Sequence, residues 1–255
     1  MPVATGEALG RTSPEALITA TTSEPPEPLP SDGLPERTAA IGLFVPVLLV
    51  VALPALSGLD GSSGPIAFTD ARLGSALVVQ LALVATLGLW LWRRGWRPHR
   101  TATRPISWLD LWRGLVLWAG AILAVACWAV VCRALLPDVF SVARQTQISG
   151  APHFWTVIPY TLTNAVFEEF LWLGLGFAAF RRLGVVGAGA ISAVLRVAAH
   201  AYQGPLALVT IVPIAIVFTV YYGRTQRVWP IVVAHAFQDL LALGLLARMS
   251  GDAAV

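Results

Sequence analysis

The chain predicts an all-α, polytopic transmembrane bundle of about seven spans, on three observations. It is 56% hydrophobic and only 12% charged over 255 residues, against about 45–50% and about 25% in soluble domains. Apolar runs long enough to cross a bilayer recur from residue 39 nearly to the C-terminus, and each crossing needs about 20 residues. The runs are separated by short segments holding Gly, Pro and Arg, residues that end helices and mark membrane boundaries.

Residues 1–38 are rich in Pro, Ser, Thr and Glu, as in Glu24-Pro-Pro-Glu-Pro-Leu-Pro30. Such a segment buries too little apolar surface to offset its ordering entropy, so a disordered tail is expected. It lacks the basic start and immediate apolar core of a signal peptide, and the first helix is expected to stay as an anchor.

Seven spans are expected near 39–57, 73–92, 112–135, 156–179, 185–202, 205–222 and 229–247. Pro46 and Pro54 fall in the first; a bundle tolerates such kinks because neighbours satisfy the freed backbone groups. Cys127 and Cys132, five positions apart in the third, read as buried spectators rather than a disulfide or metal pair. The third and fifth spans, and the loop expected at Gly184–Gly189, are rich in small residues, which let helices approach closely.

The formal charge of +3 and pI near 9.3 would suit a nucleic-acid partner. All 17 basic residues are Arg, however, and most sit in short loops. The tail and the loops after spans two, four and six carry Arg11, Arg37, Arg93, Arg94, Arg97, Arg100, Arg104, Arg181, Arg182, Arg224 and Arg227. The opposite side has Arg72, Arg133, Arg144 and Arg248. This asymmetry predicts a cytoplasmic N-terminus and an outside C-terminus, with Trp90, Trp92, Trp96, Trp108 and Trp112 as interfacial anchors. Lipid headgroups, not nucleic acid, are the expected partners of the Arg93–Arg100 loop. The absence of Lys, with abundant Ala, Gly and Pro, hints at a GC-rich bacterial genome and hence an inner or plasma membrane.

Against this apolar background stand Glu168 and Glu169 in span four, Arg196 and His200 in span five, and His235 and Asp239 in span seven. A charge at mid-bilayer costs at least about 2.5–3.5 kcal/mol, so these side chains are expected to face one interior site. Residues four apart share a helix face, which groups Asn164 with Glu168 and Trp172, Ser192 with Arg196 and His200, and His235 with Asp239. Neighbours on a helix are rotated by about 100°, so Glu168 and Glu169 share a cavity without sharing one role. Three carboxylates against one Arg leave two negative charges, to be met by a proton, a charged histidine or a bound cation. A desolvated glutamate is a competent general base, and two histidines can position water, donate to an oxyanion or bind a divalent metal.

The order Glu168-Glu169, His200 and His235-x-x-x-Asp239 resembles the CPBP family of intramembrane proteases, which includes CAAX prenyl endopeptidases and bacteriocin-processing or immunity proteins. The resemblance covers roughly residues 155–247; composition sets apart the tail at 1–38, and the near absence of internal charge in the first three spans marks 39–135 as accessory helices. It implies an endopeptidase in which Glu168 and His200 activate water while His235 and Asp239 complete the site and support the oxyanion. Glu169 belongs to the same catalytic set, and Asn164 and Arg196 are accessory. The family's motifs read Glu-Glu-x-x-x-Arg, Phe-x-x-x-His and His-x-x-x-Asn/Asp; here Leu173 stands for the Arg and Arg196 for the Phe. Arg196 is therefore expected to supply from the fifth span the guanidinium missing at 173.

The resemblance leaves a metal open. Glu168, His200 and His235 are the candidate ligands for a divalent ion such as zinc, which the sequence does not require. The expected substrate is a membrane-associated peptide or protein, such as a leader peptide, bacteriocin precursor or membrane-protein tail. Two other readings fit the residues: a degenerate relative acting as scaffold, chaperone or immunity protein, and a proton-coupled transporter. Each motif also has a plain structural reading, as a packing pair of glutamates, a span-end histidine or an i,i+4 contact. One geometric tension stands out: counted from the Arg-rich boundary at about 1.5 Å per residue, His235 lies roughly 9 Å deep, Glu168 roughly 18 Å and His200 roughly 22 Å.

Overall fold

The computed structural model describes residues 34–56, 66–96, 106–145, 148–150 and 152–252. The expected tail lies outside the described residues as far as 33, as does the Arg-rich loop over 97–105. What is described of the tail is packed: Leu34 is buried, and Glu36 to Thr38 form the first turn of a helix.

The chain is an all-α bundle. Its helices are α1 (Glu36–Leu56), α2 (Asp70–Arg93), α3 (Trp108–Leu135), α4 (Pro137–Gln145), α5 (Phe154–Glu169), α6 (Gly176–Ala179), α7 (Gly184–Ala199), α8 (Pro205–Thr225) and α9 (Trp229–Asp252). Among the described residues, the segments Asp70–Arg93, Trp108–Leu135, Arg181–Ala199 and Pro205–Thr225 are long and apolar enough to cross a membrane. The apolar part of α9, Trp229–Leu245, is shorter.

Local chemistry accounts for the helix ends. Ser107 caps the start of α3 with Asp110, whose Oδ2 accepts from both the backbone N–H and the hydroxyl of Ser107 at 2.9 Å. Gly204, at φ 57°, takes the left-handed turn that reverses the chain after α7, and Pro205 opens α8 where its missing N–H costs nothing. The expected span four is continuous but not uniform: Phe170–Leu175, directly after the two glutamates, is a π-helical segment joining α5 to α6. Span five ends earlier than expected, with His200 as the residue capping α7.

Three expectations change on folding. Gly184–Gly189, read as a loop by its small residues although span five is expected from 185, is the start of α7, and its small residues serve packing. A Cβ on Gly189 would lie 2.8 Å from Thr219 Cγ2 and 3.2 Å from Phe177 Cζ. Trp96 is buried, returned toward Leu91 by the positive-φ turn at Gly95, whereas Trp92, Trp108 and Trp112 are exposed as anchors would be. Both cysteines are free, but only Cys132 is buried; Cys127 is exposed on the outer surface of α3.

Helix α9 packs against α3 and α5, α8 against α3 and α7, α2 against α5, and α1 against α6. At the α3–α9 crossing a Cβ on Gly114 would sit 2.6 Å from Val233 Cβ and 2.8 Å from the Pro230 carbonyl oxygen, so the backbones could not keep their distance. Gly114→Ala is expected to destabilise the protein by about 1–3 kcal/mol through overpacking. Gly120→Ala, with nothing within 4 Å, should gain slightly from helix propensity. Thermal midpoints in detergent read the two signs.

Helix ends meet as the alternation of spans requires. Glu36 at the head of α1 pairs with Arg181 at 3.4 Å and Arg182 at 2.7 Å. Asp110, fully buried, accepts from Arg227 at 2.7–3.0 Å. At the opposite ends, Asp70 holds His153 through its backbone N–H at 2.8 Å and its Nδ1 at 2.6 Å. Beside that pair Ile66–Ala67 and Ile148–Ser149 form a two-residue parallel bridge.

Candidate active site

The two adjacent glutamates separate into different environments. Glu169 is fully buried and receives both arms of Arg196, Nη1 to Oε2 at 3.0 Å and Nη2 to Oε1 at 2.5 Å. This fork-to-fork geometry is the strongest form of a charge-assisted hydrogen bond. Glu168 keeps a partly exposed side chain, and its Oε2 accepts from Trp172 Nε1 at 3.4 Å.

Close helix packing makes the Arg196 contact possible. Ser192 on α7 donates to the Trp172 carbonyl in the π-helical segment, and a Cβ on Gly176 would lie only 2.9 Å from Ser192 Oγ. Arg196 is one turn beyond Ser192 on the same face, so the crossing aims its guanidinium at Glu169. Phe218 of α8 lies beneath the guanidinium at 5.3 Å, adding a cation–π contact.

His200 is fixed by its own helix: Nδ1 donates to the Arg196 carbonyl at 2.8 Å, an oxygen left free at the end of α7. That bond leaves Nε2 as the other functional atom, and it faces Glu168 Oε2 across 3.9 Å. Tyr202 stacks on the His200 ring with centroids 6.2 Å apart.

His235 lies between two carboxylates, with Nδ1 2.6 Å from Glu169 Oε1 and Nε2 3.4 Å from Asp239 Oδ2. Carboxylates only accept, so both contacts are hydrogen bonds when both ring nitrogens carry hydrogen. Arg196 and a doubly protonated His235 then balance Glu169 and Asp239, leaving Glu168 as the carboxylate outside the paired set. Asn164 donates to Asp239 Oδ2 at 3.1 Å, and Gln80 of α2 donates to Asn164 Oδ1 at 2.6 Å.

All the residues singled out from the sequence thus meet in one cluster: Glu168, Glu169, His200, His235, Asp239, Arg196 and Asn164. The depths expected from helix counting are corrected, since Glu169 and His235 are in hydrogen-bond contact. Val228 and Ile231, at the start of α9, are almost fully buried. At the two positions where the motif departs, Leu173 is buried and Arg196 holds Glu169. Sequence reasoning missed Gln80. Its signal was an amide in the apolar run Ala76–Val84, in helices read as accessory.

The residues do not fit a three-ligand zinc centre. Among the described residues no three His, Cys, Asp or Glu side chains are disposed to hold a metal ion. Both His235 nitrogens face carboxylates, and the Arg196 guanidinium lies 4.0 Å from Glu168 and 3.4 Å from His235, among the expected donors.

No curated protein and no solved structure matches the chain. Residues 150–241 match a family model described as Rce1-like, type II CAAX prenyl endopeptidase. The match contains every residue of the cluster except Gln80, and supports a CAAX-type intramembrane protease in general terms. By its motif residues and this match, the segment 150–241 is similar to the CPBP, or CAAX protease, family.

Proposed function

We propose that the chain is an intramembrane endopeptidase that hydrolyses a peptide bond in a membrane-associated peptide or protein. The observation that carries the reading is the facing pair Glu168 Oε2 and His200 Nε2, 3.9 Å apart, beside charges that satisfy one another. A water hydrogen-bonded to both would span that gap. With Nδ1 committed to the Arg196 carbonyl, Nε2 of the neutral ring accepts from the water, as does Glu168. The carboxylate takes the proton as oxygen attacks the scissile carbonyl, then delivers it to the departing amine.

Negative charge developing on the carbonyl oxygen needs a donor aimed at it. His235 Nε2 is suited to this role, because its 3.4 Å contact with Asp239 is the long one of its two. Glu169, Arg196 and Asp239 hold that ring and its charge in place. In this reading Glu169 positions the site rather than attacking substrate. The Arg-rich end, with Arg181, Arg182 and Arg227, faces the cytoplasm.

The test is peptide release from a membrane-peptide library by the purified full chain, beside Glu168→Ala and His235→Ala. Release by the parent chain and loss in both variants are expected. Persistent cleavage in both overturns the site. No cleavage with specific co-purification of an intact partner favours the scaffold reading, and substrate-dependent proton flux in liposomes favours transport.

A further inference from the structure

The site does not end at the segment that carries the family's motifs. Gln80 Nε2, on α2, donates to Asn164 Oδ1, and Asn164 Nδ2 donates to Asp239 Oδ2, the carboxylate facing His235 Nε2. The direction of this chain is forced from one end. Asp239 as a carboxylate can only accept, so Asn164 must turn its NH2 toward it and its oxygen toward Gln80. Gln80 must then present its own NH2, which leaves Oε1 as the unpaired end. That oxygen is buried and has no hydrogen-bond partner among the described residues. A buried acceptor without a partner costs free energy that a Leu at this position would avoid.

We propose that Gln80 is a positioning residue of the active site: through Asn164 it orients the Asp239 carboxylate and thereby sets the ring of His235. Asn164, held in turn by Gln80, donates to Oδ2 of the carboxylate, the same oxygen that faces His235 Nε2. The inference goes beyond the peptidase reading by bringing α2 into the machinery. It rests on that reading only where activity is measured.

The chain's polarity supplies a test that a purely structural role would not pass. Gln80→Glu keeps size and places an acceptor where Asn164 needs a donor. Adding Asp239→Asn supplies a donor at the other end, so Asn164 can turn over and the whole chain run in reverse. The full-length protein, labelled with 15N at its imidazoles and held in detergent micelles, gives the ring resonances of His235; thermal midpoints report folding.

Gln80→Glu is expected to move the His235 resonances, to leave those of His153 in place, and to lower release of the membrane-peptide library roughly tenfold, the size of coupling seen between contacting residues. Gln80→Glu combined with Asp239→Asn is expected to match or exceed Asp239→Asn alone in both readouts. Independent effects in the combined variant overturn the proposal. Should Gln80→Glu fail to fold, Gln80→Met decides: it removes the donor without adding charge, and unmoved His235 resonances overturn the proposal. If the parent chain releases no peptide, the peptidase reading fails while the resonances still decide the role of Gln80.

Discussion

Glu168→Gln is expected to lower peptide release by about 10²–10⁴-fold, the range for loss of a general base, while the thermal midpoint stays close to that of the parent. The neighbouring substitution should behave in the opposite sense. Glu168 is partly exposed, and its recorded contacts are one long hydrogen bond from Trp172 and more distant charges at 3.9 and 4.0 Å, so an amide of the same shape removes little packing. Glu169 is fully buried and holds both arms of Arg196 and the ring of His235. Glu169→Ala strands that guanidinium in a buried setting, which typically costs about 3–5 kcal/mol. Paired measurements of release and thermal midpoint distinguish the two. Equal stability losses at 168 and 169, or release that survives Glu168→Gln, would contradict the division of roles.

Arg196→Phe, which restores the residue usual in the family motif, is expected to destabilise this chain by a similar amount, about 3–5 kcal/mol. The cause is again a buried charge deprived of its bidentate partner, now the Glu169 carboxylate, which keeps only His235. Adding Leu173→Arg should recover a substantial part of the loss. Position 173 follows Glu169 by four residues and is buried, so a guanidinium placed there can approach the same carboxylate from within its own helix. The combined variant should therefore melt above Arg196→Phe alone and release more peptide. If it is no more stable and no more active than the single variant, the two arginine positions are not interchangeable.

The elements that were legible share one property: their signal is local. A run of apolar residues demands a helix in lipid because every backbone group must be satisfied within the segment. Thus the helical elements at Asp70–Arg93, Trp108–Leu135 and Pro205–Thr225 lie where hydropathy alone places them. The residues of the cluster were legible for the complementary reason, since ionisable groups in such runs are costly unless they converge. Their i,i+4 spacing also named the face of each helix.

What was not legible depends on contacts between helices. Gly184–Gly189 reads by composition as a loop and by hydropathy as the start of span five; the helix prevails, with Gly189 packed against Phe177 and Thr219, which lie elsewhere in sequence. Trp96 looks like an interfacial anchor until the Gly95 turn folds it inward. The π-helical segment after Glu169 has no compositional mark in Phe170–Leu175, yet its Trp172 carbonyl is the one that accepts from Ser192. Gln80 could be noticed as an amide in an apolar helix, but only packing of α2 on α5 brings it to Asn164.

By itself, then, the order of residues determined a membrane bundle, its approximate helices, and which polar side chains had to find one another, because those follow from burial costs along a single chain. Only the tertiary structure decided which glutamate pairs with Arg196 and which faces His200. The two are adjacent on one helix, so nothing in their spacing separates them. The packing of α7 on the π-helical segment and of α9 on α5 sets Glu169 against a buried guanidinium and leaves Glu168 partly exposed.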